Sequence, residues 1–400
     1  MASGIILFWI SLSLLFFCYL GYGMILFLLN NLRYILLSKK KEAVLKEKLA
    51  VTLIVSACNE EKVLEQKIKN TLAINYPEDK LKIIFVTDGS SDGSMQIIGQ
   101  YPSITLMHQQ ERKGKFAAIK RSMQWVNTPV VIFSDANTML NKESVEHIAA
   151  HYHDLKVGGV AGEKKILLNH HISAVGEAEG LYWQYESFMK KLDSGFNTVI
   201  GAAGELFSVR TELFKEFDDS LILDDFMISM QVCLQGYKIA YEPGAFATEL
   251  PSASLYEEEK RKVRIAAGAY QSIGYLKNCL NVFKYPLLSF QFFSRRLLRW
   301  IFCPIMLAIL FFTNIYVVNK QPQPAFYLWF MYAQLSFYFF SLAGWLFVSA
   351  GRRLGLLAIP FYFVFMNYCL VKGFVRFMKG RQTVLWEKSL RQRLNKAMNS

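Results

Sequence analysis

The sequence predicts an α/β protein in which a doubly wound, Rossmann-like soluble domain is carried on α-helical transmembrane segments. Three observations predict it. Short β-branched runs alternate with helix-like stretches between Val51 and Asp135, an uncharged run opens the chain and further long apolar runs close it, and 53% of the 400 residues are hydrophobic. A soluble globular chain is nearer 45 to 50% apolar, and 400 residues exceed one ordinary domain.

The first element is a spanning helix. Gly4 to Leu29 carries no charge and Arg33 is the first charged residue, a stretch longer than the roughly 20 residues a bilayer requires. A signal peptide would instead show a basic start, a shorter apolar core and a small-residue cleavage site. Arg33, Lys39, Lys40 and Lys41 follow, so the positive-inside rule places the chain after Leu29 in the cytosol. The organisation expected is a transmembrane helix over 1–32, a cytosolic domain over 50–250, amphipathic or interfacial helices over 251–299, transmembrane helices over 300–375 and a basic tail over 376–400.

Within the soluble part, VTLIVSA from Val51, KIIFVTD from Lys82, ITLMH from Ile104 and VVIFSD from Val130 read as strands buried on both faces. Glu61 to Leu72, Ser91 to Gly99 and Lys115 to Val126 read as the crossover helices between them. Ligands of such sheets bind beyond the carboxyl ends of the strands. Asn59 and Glu60 stand there after the first strand, Asp88 after the second, and Asp135 and Asn137 after the fourth. Neither a GxGxxG nor a GxxxxGK[ST] motif is present, which argues against dinucleotide and P-loop sites.

Asp88 to Ser94 (DGSSDGS) is by itself compatible with an ordinary turn. SDAN says more: Asp135 and Asn137, two apart at an extended strand end, offer two oxygens on one side, as Mg²⁺ or Mn²⁺ requires. A helix N-cap by Asn137 or Thr138 is the plainer alternative. Asp224 and Asp225 open an apolar helix-like run, either as an N-terminal acidic pair or as abutting carboxylates that raise one another's pKa and suit a general base. Glu257 to Gly268 (EEEKRKVRIAAG) is most simply a solvated helix face, yet Lys260, Arg261 and Arg264 share one side and would clamp a diphosphate.

The closing apolar runs are Trp300 to Val318, Ala325 to Ala350 and Leu354 to Val371, preceded by Leu287 to Trp300, whose aromatics and arginines suggest a helix lying in the interface. Three spans would carry the basic tail (Lys372, Arg376, Lys379, Arg381, Lys388, Arg391, Arg393, Lys396) outward, against the positive-inside rule. A re-entrant or interfacial course for the last segment, which holds Pro360 and Asn367, reconciles the charges. The net charge of +13 clusters beside these runs, so it points to a lipid bilayer and to no nucleic-acid partner. Six scattered cysteines without metal spacing fit a reduced, cytosolic compartment.

Taken as a set, ACNEE, VTDGSSDGS, RKGKFAAI, FSDAN, YWQYE, GAAGELFSVR, LDDF, GYKIAYEP, RKVR and LLRW resemble a membrane-bound glycosyltransferase of family 2, the superfamily of cellulose and hyaluronan synthases, in its DAN-bearing subgroup. The resemblance implies a GT-A nucleotide-sugar fold and multi-pass placement in the cell membrane. It also implies inverting transfer from a nucleotide sugar, a UDP-sugar by expectation, to a lipid-linked sugar or growing polysaccharide. By the same resemblance Asp88 holds the uridine, Asp135 and Asn137 ligate Mg or Mn, Asp225 is the catalytic base, and Lys115, Arg261 and Arg264 neutralise the phosphates beside Asn59 and Glu60. Trp183, Glu205 and Asp224 are expected on the acceptor side. Asn137 replaces the aspartate common in the family. No tryptophan follows the arginines of 261–265 where polymerising members carry QxxRW, which favours short products over a processive, exporting synthase. An inactive nucleotide-sugar-binding scaffold is the reading from another class.

Overall fold

All seven residues of Val51–Ala57 are buried, and side chains alternate between two cores: Ile54 with Val131 and Phe133 on one face of the sheet, Leu53 and Val55 with Ile132 on the other. That pattern is why the run is a central strand rather than a surface one. The computed structural model of the chain describes residues 2–37, 47–167, 174–320, 325–380, 383 and 385. Lys39, Lys40 and Lys41, the connection from Gln321 to Pro324, and Arg381, Lys388, Arg391, Arg393 and Lys396 of the expected tail lie outside the described residues.

The chain opens with α1 (Ala2–Phe16), a π-helical turn (Phe17–Gly21) and α2 (Tyr22–Leu37). The α/β part begins with β1 (Val51–Ala57), α3 (Glu61–Leu72), β2 (Leu81–Asp88), α4 (Ser94–Gly99), β3 (Thr105–Gln109), α5 (Lys115–Met123) and β4 (Val130–Asp135). It continues with β5 (Met139–Leu140), α6 (Ser144–His151), β6 (Val157–Ile166), α7 (Ala174–Phe196), β7 (Leu206–Arg210), α8 (Asp224–Leu234) and β8 (Lys238–Glu249). The sheet order is β3-β2-β1-β4-β7-β6-β8-β5. β3, β2, β1 and β4 are parallel, as their crossover helices demand, whereas β7 runs antiparallel to both β4 and β6. α5 and α8 cover one face and α3 and α6 the other, so the expected doubly wound sheet is present inside a larger mixed one.

α9 (Leu255–Tyr275), α10 (Pro286–Phe292), a π-helical segment (Phe293–Phe302), α11 (Cys303–Lys320), α12 (Ala325–Ser349) and α13 (Ala358–Met378) follow. Among the described residues four helices are long and apolar enough to cross a membrane: Ala2–Leu36, Pro286–Lys320, Ala325–Ser349 and Gly355–Met378. Two expectations change here. The arginine-bearing stretch from Leu287 to Trp300 is not a separate interfacial helix but the first part of one 35-residue helix, because Arg295 is 3% exposed and turned onto carboxylates of α7. α13 is one unbroken helix, which removes the re-entrant form of the re-entrant or interfacial course that was expected. Pro360 sits in its first turn, where a missing N–H costs nothing, and Asn367 Nδ2 donates back to the Phe363 carbonyl at 2.9 Å. α13 also lies against α9: Tyr362 donates to Glu258 at 2.7 Å, and a Cβ on Gly373 would stand 2.4 Å from Ala266 Cβ.

Candidate active site

At the carboxyl ends of β1 and β4 a cavity of about 300 Å³ opens between the sheet and the helices α7, α8, α9 and the π-helical segment, within the size range of small-ligand sites. The loop Gly201 to Glu205 forms part of its lining. Gly201 has φ +87°, and a Cβ there would stand 2.1 Å from the Phe226 ring. A glycine is the residue that allows this backbone so close to α8. Ala202 N–H donates to Ser229 Oγ at 3.0 Å and Ser229 Oγ donates to the Asp225 carbonyl at 2.9 Å, which ties the loop to the first turn of α8.

Three of the side chains singled out in the sequence converge over Gly204. A Cβ on that glycine would stand 2.9 Å from Lys115 Nζ, 3.3 Å from Asp225 Oδ2 and 3.7 Å from Asp135 Oδ2. Lys115, the first residue of α5, holds Asp135 Oδ1 at 2.6 Å and has Asp224 Oδ2 at 3.8 Å. Burial works against the Lys115 charge, but Asp135, Asp224 and Asp225 outweigh it and hold the ammonium well above its ordinary range. Burial pushes Asp135 up, against the pull of Lys115. Burial and then the adjacent Asp224 push Asp225 up to about 7, with Lys115 opposing.

The other expected residues divide into those that line the cavity and those behind it. Glu60, Asn137, Trp183, Glu205, Asp224 and Arg264 line it. Asn59 and Asp88 do not. Asp88 is 0% exposed and accepts from Lys113 N–H at 2.9 Å and Gly114 N–H at 2.8 Å, so in this state it moulds the loop that presents Lys115. Asn59, at φ 55°, accepts from Ser91 N–H at 2.8 Å and joins the two strand-end loops. Asn137 is not on an extended strand end as expected. The ladder stops after Ala136 N–H donates to the Ser56 carbonyl, and Thr138 turns back to the Asp135 carbonyl through its N–H and its hydroxyl. Asn137 Nδ2 donates to Glu249 at 3.0 Å, leaving its amide oxygen for a ligand.

Arg261 also departs from expectation. It lines the cavity but is buried against Glu179 and Glu258, with Nε to Glu258 at 3.2 Å, and Glu258 further accepts from Ser252 and Tyr362. A guanidinium already matched by two buried carboxylates is a structural pair rather than a diphosphate clamp. The face of α9 expected to be solvated is largely packed, with Glu258 0% and Lys262 5% exposed.

Several site groups were missed. Lys164 on β6 is paired with Glu205 and Glu249; burial opposes ionisation of Glu205, but Lys164 holds its carboxyl well below the usual range. Glu186, in the YWQYE run, is held equally low by Arg295 and Arg299 despite its burial. Lys190, Arg296 and Trp300 also line the cavity. No tryptophan stands in 261–265, but Trp300 of the LLRW run lines the cavity, with the Phe226 ring 5.6 Å away and the Arg296 guanidinium 5.4 Å from its ring. An inward lysine in an apolar strand and a repeated aromatic and arginine pattern at 295–300 were the available signals.

Residues 52–216 match the family Glycosyl transferase family 2. Poly-beta-1,6-N-acetyl-D-glucosamine synthase of Staphylococcus aureus (strain COL) is 26% identical over 292 residues, 69% of this chain and 68% of its own. The Staphylococcus epidermidis protein of that name is 24% identical over 55% of each chain. Among solved structures, mannosyltransferase PcManGT from Pyrobaculum calidifontis in complex with GDP-Man and Mn2+ superposes with TM-score 0.67 at 18% identity, over 94% of this chain and 100% of that one. The fold is GT-A, joined to four helices long and apolar enough to span a membrane.

Proposed function

We propose that this chain, whose residues 52–216 match Glycosyl transferase family 2, is a glycosyltransferase that moves a sugar from a UDP-sugar to an acceptor held at the membrane, with inversion. The observation that carries this reading is the convergence of Lys115, Asp135 and Asp225 over Gly204 in one cavity. The soluble domain faces the cytosol, where nucleotide sugars are made, and the four apolar helices fix it to the bilayer.

The acceptor hydroxyl loses its proton to the Asp225 carboxylate, whose raised pKa suits a base working near neutrality. The oxygen then forms its bond to the anomeric carbon as the bond to the diphosphate breaks, and the electron pair leaves with the nucleotide. Lys115 lies ready to stabilise that developing charge, and so does Arg264 on the cavity wall. Asp224 Oδ2 is buried with no hydrogen bond, and Asp135 is a half-buried carboxylate that desolvation makes hard to charge. Such a donor set fits a divalent cation held by Asp135 and Asn137. Among the described residues no group of three or more His, Cys, Asp or Glu forms a metal site alone, which suits Mg²⁺ or Mn²⁺, ions usually bound by one or two carboxylates plus substrate phosphates. When bound, the cation supplies Lewis-acid charge to the leaving diphosphate.

Two features favour chain elongation as a second reading: the curated relatives are named as polysaccharide synthases, and Trp300 stands in the cavity. The test is nucleotide release from UDP-, GDP- and TDP-sugars by the full chain in lipid nanodiscs, with Mg²⁺, with Mn²⁺ and with EDTA. UDP-N-acetylglucosamine is the first donor to try. EDTA-sensitive release from one UDP-sugar is the expected result; failure of any nucleotide to bind overturns the reading.

A further inference from the structure

The cavity has two unlike walls. One is the sheet edge, with Ser56, Glu60, Asp135 and Asn137, where a nucleotide belongs by the strand-end rule. The other is α7, whose Trp183, Glu186 and Lys190 fall at helical spacings of three and four and all line the cavity. The same helix packs on the membrane segments: Tyr182 meets Tyr362 of α13 with ring centroids 5.8 Å apart, and Met189 and Leu192 pack on Tyr22 and Leu26 of α2. A ligand on the α7 wall therefore reaches the site from the membrane side.

That wall carries an ammonium that no ion pair engages among the described residues. Three ammonium groups surround the Trp183 ring, Lys164 at 4.8 Å, Lys190 at 5.6 Å and Lys262 at 5.7 Å from its centroid. Lys164 has Glu205 and Glu249, and Lys262 has Glu258 at 3.6 Å. Lys190 is 4% exposed, and among the described residues its ammonium makes no ion pair or hydrogen bond, Glu205, Glu186 and Asp225 acting on it only from beyond ion-pair distance. The indole N–H of Trp183 is likewise buried without an acceptor. Arg296, next along the wall, spends its guanidinium on the Ile200 carbonyl and on the rings of Phe226 and Trp300, and among the described residues forms no ion pair, Glu186 acting on it only from farther off. A buried cation and a buried N–H donor at one spot cost stability until an anionic oxygen arrives.

We propose that Lys190 and the Trp183 indole N–H, with Arg296 beside them, seat a phosphate group of the acceptor, close to the hydroxyl that Asp225 deprotonates. A neutral sugar hydroxyl would satisfy a hydrogen bond but not the charge. A phosphate monoester or diester satisfies both and presents several oxygens to groups that lie apart. The proposal rests on the transferase reading above and adds the class of acceptor. Two sources supply the chemistry, a lipid carrier phosphate in the bilayer and a soluble sugar phosphate.

The test uses the full chain in phosphatidylcholine nanodiscs. Equilibrium dialysis with UDP comes first; absence of binding there counts against the transferase itself and not against this subsite. Nucleotide release from the preferred donor is then followed with N-acetylglucosamine on polyprenyl phosphate, the same sugar on uncharged diacylglycerol, and soluble N-acetylglucosamine 1-phosphate. The phosphate-bearing acceptors should have the lower KM, by roughly tenfold to a hundredfold. Lys190→Met should raise that KM by a similar factor while UDP affinity and donor KM stay put, Lys190→Arg should restore most of it, and Trp183→Phe should cost roughly fivefold. Response to the lipid alone assigns the phosphate to a carrier lipid, and response to both assigns it to the sugar phosphate itself. The proposal is overturned if the uncharged glycolipid serves equally well, if Lys190→Met moves donor and acceptor constants together, or if no phosphate-bearing acceptor stimulates release while UDP binds.

Discussion

Asp225→Asn tests the site most directly, because it separates chemistry from stability. The native carboxyl is pushed from an ordinary 3.8 up to about 7 by burial and Asp224, with Lys115 opposing. A carboxylate with a raised folded pKa favours folding while it stays protonated. Between about 3.8 and about 7 the unfolded chain releases a proton that the native protein keeps, so stability falls as pH rises through that window and the loss is complete above it. At 1.36 kcal/mol per decade of proton affinity the upper bound is roughly 4 kcal/mol, reduced because Asp225 is only partly buried and faces cavity water. Asparagine removes the charge and keeps an oxygen for the Phe226 N–H, now 2.7 Å from Asp225 Oδ1. The variant should therefore melt higher than the parent by the most at pH 8, by less than half that margin at pH 5 and with it only below about 3.8, while nucleotide release driven by acceptor falls by roughly 10² to 10⁴. The parent's rate should climb about tenfold per pH unit below about 7 and level off above it. Thermal unfolding in nanodiscs at the two pH values and a pH-rate profile supply the readouts. Full activity in the variant, or identical melting at pH 8, would refute the reasoning.

Three further outcomes follow from the same geometry. Asp224→Asn removes the second-largest cause of the raised Asp225 pKa, so the acid limb of the pH-rate profile should move to lower pH by on the order of one unit; an unmoved limb contradicts the pairing. Gly204→Ala places a methyl 2.9 Å from Lys115 Nζ and 3.3 Å from Asp225 Oδ2. It should cost on the order of 10² in rate through misplacement with little change in melting, and a wild-type rate would mean the three groups do not act over that glycine. Arg261→Met leaves Glu179 and Glu258 buried without their shared cation, a loss of about 3–5 kcal/mol seen as a lower melting temperature. If instead the variant melts normally and only the donor KM rises, Arg261 is a phosphate ligand after all.

What the sequence disclosed follows from which interactions are local. The strands β1, β2 and β4 were legible because parallel strands buried on both faces are written as apolar runs, and their ends then mark Asp135 and the Asp88 turn, whereas β3, expected to be buried on both faces, is a half-buried edge strand. The antiparallel course of β7 was not, since LFSVR reads the same in either direction and its pairing with β4 is decided by the loop that precedes it. Lys115, Asp135, Asp224 and Asp225 stood out as motif residues. Lys164, Glu249, Glu186 and Lys190 did not, because a single charge in an amphipathic element acquires meaning only from a partner far along the chain: Lys164 meets Glu249, and Arg295 reaches back to Glu186. Arg261 shows the opposite error, a visible cation whose neutralising partner Glu179 lies 82 residues away.

The helices that fix the protein to the bilayer also build the site. Glu186, one helical turn from Trp183 and four residues before Lys190, accepts from Arg295 at 2.8 Å and Arg299 at 2.5 Å. Arg295 continues to Asp193 Oδ2 at 3.3 Å, and Asp193 Oδ1 accepts from the hydroxyl of Tyr22 on α2 at 2.5 Å. Gln291 Nε2 closes the network on the Asp193 and Thr198 carbonyls at 3.1 and 3.0 Å. Glu186, Asp193 and Arg295 are buried and Arg299 nearly so, so removing a member strands an uncompensated partner. The pose of α7 is thus set by groups on α2 and on the Pro286–Lys320 helix, whereas Lys115 and Asp135 are set by the sheet. Asp225 stands between the two, at the start of α8, where the cavity wall built by the sheet meets the wall built by the membrane helices. A soluble fragment cut free of α2 and the 286–320 helix would keep the first wall and lose the second. On the proposed reading, the donor groups Asp135 and Asn137 are held by the sheet, and the α7 wall proposed for the acceptor is held by its contacts with the apolar helices.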